Sequence, residues 1–102
     1  MNSQPERMTA LIAGPLLTDA AVAAAAACGL RLVPLKPYAN PTEMIAAANA
    51  VEAQAIIVRM GQVTREVIAG VPTLRIIAKH GVGVDGIDLA AASSRGIPVV
   101  IA

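Results

Sequence analysis

Leu74-Arg75-Ile76-Ile77-Ala78, followed by Lys79-His80-Gly81-Val82-Gly83-Val84-Asp85-Gly86-Ile87-Asp88-Leu89, carries the pattern that decides the fold. The first five residues are a short apolar run without polar alternation, which reads as a strand buried on both faces. A glycine-rich loop follows. Asp88 then supplies a helix N-cap, the helix is predicted to run through Ser94, and Gly96 stops it. Pro98-Val99-Val100-Ile101 opens another apolar strand. Strand, short crossover helix and strand together imply a parallel pair, because parallel strands need a crossover on one face of the sheet.

The same unit recurs toward the amino terminus. Met8 to Gly14 is an apolar run closed by the breaker pair Gly14-Pro15. Thr18 is the expected cap and Asp19 the first-turn acid of a helix over Ala20–Cys28, which Gly29 terminates. Leu30 to Leu35 is a second strand. Asn40-Pro41-Thr42-Glu43 has a cap, a proline at the first helical position and a glutamate at the third, so a helix starts there and runs to about Asn49. Ala55–Val58 is a third strand, and Thr64 to Ala69 a helical turn stopped by Gly70 and Pro72. Five strands alternating with helices predict one α/β domain over residues 1–102, a doubly wound, flavodoxin-like five-stranded parallel sheet in three α/β/α layers. A strand reaching Ala102 calls for a further helix over its face, so the sheet is expected to be truncated.

Composition sets limits on this domain. The chain has 102 residues, 56% of them hydrophobic, but one Tyr and no Trp or Phe. Alanine makes up about a fifth of it, so Ala, Val, Ile and Leu must build the core. A net charge of +1 gives no general field for nucleic acid or an anionic membrane. No apolar run reaches the roughly 18 residues of a membrane helix. Arg7 and the apolar stretch after it resemble a signal peptide only until Pro15 and Asp19 interrupt them. One cysteine, Cys28, cannot form an intrachain disulfide and suits a reducing, cytoplasmic setting; no Cys/His cluster has metal-ligand spacing. On its alanine-rich helix, Cys28 reads as a small core residue.

In an open parallel sheet ligands gather beyond the carboxyl ends of the strands. Those ends are Ala13-Gly14-Pro15, Lys36-Pro37-Tyr38, Arg59-Met60-Gly61 and Lys79-His80-Gly81-Val82-Gly83. Gly81 to Gly86 matches G-x-G-x-x-G, the dinucleotide fingerprint. Against that reading, the helix cap falls at Asp88 rather than on the glycines, the helix is about two turns, and no acidic residue follows Asp88 for a ribose. A tight turn and a small-anion nest of backbone amides, assisted by Arg59, are the other two readings. His80 has no carboxylate partner in the pattern and reads as a loop or partly buried structural residue. Asp85 closes the turn, and Tyr38 is either surface or cleft rim.

The run from Ala55 to Ile101 resembles the amino-terminal domain of the D-isomer-specific 2-hydroxyacid dehydrogenases, which include the D-3-phosphoglycerate dehydrogenases. The resemblance rests on Ile57-Val58-Arg59, Val63-Thr64, the G-x-G-x-D-x-I-D run over Gly81–Asp88, Ala91-Ala92 and Arg95-Gly96-Ile97-Pro98-Val99. It implies a flavodoxin-like substrate domain whose Gly81, Val82 and Gly83 backbone and Arg59, Met60 and Gly61 line the cleft for a small 2-hydroxy or 2-oxo acid. It further implies that NAD or NADP, the dinucleotide fingerprint and the catalytic Arg, Glu and His belong to a second domain, with no catalytic, cofactor-binding or metal-binding residue in this chain. On that basis the chain alone is expected to be inactive and to pair as a homodimer. Gly86 stands where the family usually has Asn, which is expected to loosen the loop while keeping its amides. The competing expectation is a stand-alone, flavodoxin-like small-molecule or regulatory module.

Overall fold

Apolar runs too short for helices and flanked by turn residues pair side by side in this chain. The computed structural model describes residues 8–14, 19–80 and 85–101, with no account of the side chains of residues 20–22. The elements are β1 (Met8–Ala13), α1 (Asp19–Ala27), β2 (Leu30–Leu35), α2 (Pro41–Ala50), β3 (Ala55–Val58), α3 (Arg65–Gly70), β4 (Ile76–Lys79), α4 (Leu89–Ser94) and β5 (Val99–Ile101). All five strands are parallel, in the order β2-β1-β3-β4-β5. This is the flavodoxin-like order, with the switch between β1 and β3.

Register divides the strands into two faces. Leu11 pairs with Ile56 and Ile56 with Ile77, while Ala13 pairs with Val58. These residues share one core with Met44 and Ala48 of α2, Val67 and Ile68 of α3 and Ala92 of α4. The alternate residues Ala10, Ile12, Ala55, Ile57, Ile76, Ala78 and Val100 face the other way. Parallel crossovers are right-handed, so reversing direction after β2 puts α1 on the face opposite α2, α3 and α4. α1 packs beside β2. Burial on its face therefore falls away from β1: Ile12 is fully buried, Ile57, Ile76 and Ala78 are half-buried, and Val100 is exposed.

Several boundaries follow the local chemistry anticipated above. Asn40 caps α2 by accepting from the Glu43 N–H at 2.8 Å, and Glu43 Oε1 accepts from the Asn40 N–H at 3.0 Å, a closed capping box. Thr64 caps α3 and Asp88 caps α4. The expected Thr18 cap lies outside the described residues. Gly29, at φ 80, follows α1 in the left-handed conformation expected of a helix stop. Two expectations need correction. Cys28 is exposed rather than in the core, because it sits in the turn just after α1, whose last residues Ala26 and Ala27 also face solvent. Strand β4 begins at Ile76, not Leu74. Leu74 is buried as a core residue of the turn, its N–H donating to the Val71 carbonyl, and the Arg75 and Ile76 amides donate to Gln54.

Helix α3 is short and ends on Val71 rather than on a left-handed glycine, leaving its last carbonyls to side chains. Asn49 Nδ2 donates to Gly70 O at 2.9 Å. Arg95 Nη1 donates to Ile68 O and Val71 O, and Nη2 to Pro72 O. The arginine thus caps a helix carboxyl end and ties the end of α4 to it. Arg95 is largely exposed, so water replaces part of what its removal loses. We expect Arg95→Ala to cost about 1–2 kcal/mol, lowering the melting midpoint by roughly 5–15 °C in a domain of this size. Arg95→Lys, with one donor head instead of a fork, should recover less than half. A melt of Arg95→Ala that overlays the parent would contradict the clamp.

Candidate functional site

Beyond the carboxyl ends of β1, β2 and β3, three turns are tied to one another through their backbones. The Arg59 and Met60 amides both donate to Ala13 O, at 2.8 and 3.0 Å, and the Gly14 amide donates to Leu35 O at 3.1 Å. The Tyr38 amide donates to Met60 O at 3.1 Å. Arg59 is half-buried, Met60 exposed and Gly61 half-buried. Gly14 has φ +125, and a Cβ there would lie 2.9 Å from Arg59 Cβ and 3.1 Å from the Met60 nitrogen. Close approach of these chains therefore requires glycine.

Gly81, Val82 and Gly83 lie outside the described residues, which break after His80 and resume at Asp85. Both flanks are anchored beside Arg59. The His80 amide donates to Val58 O at 2.9 Å, and Val63 and Ile87 form an isolated parallel bridge in which the Val63 amide donates to Gly86 O at 2.8 Å. His80 is exposed, as is Asp85 in its turn. Gly86 is not slack: besides that bond, a Cβ on it would sit 3.0 Å from Gly61 O, so the glycine lets two loops touch. The bridge and the Gly14 contact were not legible in the sequence, since both depend on residues meeting across different loops.

Gly86, the last glycine of the fingerprint match, lies outside α4, which begins at Leu89. Nine residues separate Lys79 from the start of a six-residue α4, and Asp88 Oδ1 accepts from the Ala91 N–H at 2.9 Å. A carboxylate occupies the helix end that a pyrophosphate would need. The amino end of α4 therefore does not fit a dinucleotide. Among the described residues, no group of three or more His, Cys, Asp or Glu could hold a metal, and no helix is long and apolar enough to cross a membrane.

Electrostatics at the cleft's outer wall are acidic but satisfied. The Lys36 ammonium bonds Glu43, and this, with the Asn40 amide, holds the Glu43 carboxyl below its ordinary 4.5. Glu66 is likewise held low, first by its own backbone amide and then by the Thr64 hydroxyl. A carboxyl depressed in the folded state contributes stability above its unfolded pKa and loses that contribution as pH falls through the folded value. Both carboxyls should therefore titrate by NMR below 4.5, with the amino ends of α2 and α3 loosening only in stronger acid. Midpoints at or above 4.5 would contradict the geometry.

Residues 11–102 match the sequence profile of the D-isomer specific 2-hydroxyacid dehydrogenase, catalytic domain. The chain belongs to this family. Among curated relatives, the D-3-phosphoglycerate dehydrogenase of Mycobacterium leprae is 45% identical over 60 residues, covering 58% of this chain and 11% of the relative. That of Methanocaldococcus jannaschii is 48% identical over 50 residues, covering 48% of this chain and 10% of the relative. A crystal structure of NAD+-bound 3-phosphoglycerate dehydrogenase from Entamoeba histolytica superposes with a TM-score of 0.78 at 23% identity, over 93% of this chain and 32% of that one. At that identity it shows the fold alone. A 2-hydroxyacid dehydrogenase from Ketogulonicigenium vulgare superposes with a TM-score of 0.68 at 28% identity, over 93% of this chain and 29% of that one. The chain thus spans about a tenth of the curated relatives and under a third of the solved structures by length. The Arg59-Met60-Gly61 turn lies at the carboxyl edge of the sheet, with Gly61 against Gly86.

Proposed function

We propose that this chain is the substrate domain of an NAD(P)-dependent oxidoreductase acting on the CH–OH group of a small D-2-hydroxy acid, and that it holds the substrate carboxylate. The observation that carries this reading is Arg59, fixed through Ala13 O at the carboxyl edge of the sheet and flanked by the anchored ends of the 81–84 loop. A guanidinium offers a carboxylate two parallel N–H bonds, and the Val82 and Gly83 amides would add neutral donors without a competing counter-charge. Held by its carboxylate, the substrate would present C2 outward from the sheet. A nicotinamide would accept hydride from that carbon, but no residue of this chain is assigned to hold it or to move the hydroxyl proton.

Half a cleft gives weak binding, since each charge-assisted bond is offset by solvent and by the entropy of immobilising the ligand. Titrating 15N-labelled chain with pyruvate or glyoxylate should move Arg59, Met60, Gly61, Val82 and Gly83, with millimolar or weaker affinity. NADH oxidation with the same acids should not exceed a no-protein control, because hydride transfer needs cofactor and substrate positioned together. Turnover by the pure chain would overturn the assignment. Shifts clustered over Gly14–Thr18 would favour the stand-alone binding module. The incompletely covered face bearing Ile57, Ile76, Ala78 and Val100 supports pairing of two copies, which sedimentation equilibrium showing only monomer would remove.

A further inference from the structure

Next to Gly61, the β2–α2 and β3–α3 turns border a cavity of about 260 Å³ lined by Tyr38, Asn40, Pro41, Gly61, Gln62 and Thr64 among others. Taking the carboxylate-binding reading as its base, we propose that this cavity receives the part of the substrate beyond C2, and that it selects a short, uncharged, hydroxylated tail over a phosphorylated one.

Its walls are held in costly conformations. Tyr38 is in the left-handed region at φ 57, which is unfavourable for a bulky side chain. It is kept there by the bond from its amide to Met60 O. Gly61 has φ +133, and a Cβ on it would lie 3.5 Å from the Tyr38 nitrogen. Strain of this kind persists where surrounding structure imposes it, and it concentrates around ligands. The ring of Tyr38 takes no part in the core. It is the chain's single aromatic residue, yet it stands 74% exposed at the rim. Tyrosine offers apolar area and one hydroxyl at small conformational cost, properties suited to contacting a small organic tail.

The available polar groups are neutral. Thr64 Oγ1 accepts from the Val67 N–H and its hydroxyl serves Glu66, while Asn40 Oδ1 accepts from the Glu43 N–H. The lining residues that carry further neutral polar groups are Tyr38, Asn40 and Gln62, with a hydroxyl and two amides. None of the lining residues is cationic. The neighbouring Lys36 ammonium is engaged by Glu43. Glu66, hydrogen-bonded to the lining Thr64, places negative charge behind the wall, while Glu43 is balanced by Lys36. A phosphate dianion would enter without a counter-charge, whereas a hydroxyl can both donate and accept here. The volume suits a tail of a few atoms, given about 30 Å³ for each water in the liquid.

Three probes with the same 2-hydroxy acid head separate the possibilities: D-lactate, D-glycerate and D-3-phosphoglycerate, titrated into 15N-labelled chain. D-glycerate should shift Tyr38, Gly61 and the Asn40 and Gln62 side-chain amides in addition to Arg59. It should bind about threefold tighter than D-lactate, the effect of one neutral hydrogen bond, and D-3-phosphoglycerate should bind no tighter than D-glycerate. Tyr38→Ala and, independently, Gln62→Ala should reduce D-glycerate to the D-lactate level while leaving D-lactate unchanged. Glycerate shifts at Arg59 and the 81–84 loop with a silent cavity would overturn the subsite and leave the carboxylate reading standing. Tighter binding of D-3-phosphoglycerate would overturn the neutral-tail selection. Shifts in the cavity without any at Arg59 would support the cavity and overturn the carboxylate reading.

Discussion

Ile56→Ala is expected to remove about 3–4 kcal/mol of stability, at the upper end for deletion of a buried aliphatic side chain. Ile56 is fully buried on the central part of the sheet, paired with Leu11 on one side and Ile77 on the other, in the core shared with α2, α3 and α4. With no Phe or Trp in the chain, only aliphatic neighbours and Met44 can move toward the space left behind. A domain of this length has roughly 5–15 kcal/mol in all, so the variant approaches the unfolding threshold. Its neighbour provides the control. Ile57 points to the opposite face and is half-buried, because among the described helices α1 alone lies on that side. Ile57→Ala should cost about half as much, as only part of its surface leaves water on folding. Urea denaturation of both variants measures the difference. Equal costs would mean that the two faces are equally covered and would break the layer assignment.

What could be read from the sequence was what local chemistry determines. The strand-forming runs are continuous and apolar because parallel strands are buried on both faces, and that made β1, β3 and β5 visible. The α2 start was visible because Asn40, Pro41 and Glu43 each answer to one unsatisfied backbone group. Arg59, Met60 and Gly61 were legible as a strand end, and the resemblance tied them to the glycine loop. Cys28 was misread because the eight apolar residues that follow Asp19 in α1 give no periodicity, so the sequence does not say which side of the helix is covered. Leu74 was misread because an apolar residue filling the core from a turn looks like the first residue of a strand. Arg95 lay in a recognisable motif, but its capping of α3 is a contact 23 to 27 residues away in sequence, which no local pattern encodes.

Gly14→Ala should couple the fold to the site more directly than any change of a charged residue, lowering stability by about 2–4 kcal/mol through backbone strain and displacement of the β3 end. An L-residue rarely adopts φ +125, and the new methyl would meet Arg59 Cβ at 2.9 Å and the Met60 nitrogen at 3.1 Å. Neither contact can relax at a flexible side-chain tip, since one partner is a Cβ and the other backbone. The β3 end must move, and with it the two amides that donate to Ala13 O, so Arg59 leaves the position from which it would meet a carboxylate. Gly29 separates strain from collision. It has φ +80 but nothing within 4 Å of an added Cβ, so Gly29→Ala should cost only about 1 kcal/mol and leave Arg59 in place. Denaturant midpoints and the Arg59 and Met60 amide shifts of the two variants decide the matter. If Gly14→Ala matches Gly29→Ala in stability and leaves those amides unmoved, the close approach of β1 to the Arg59 turn does not position the site.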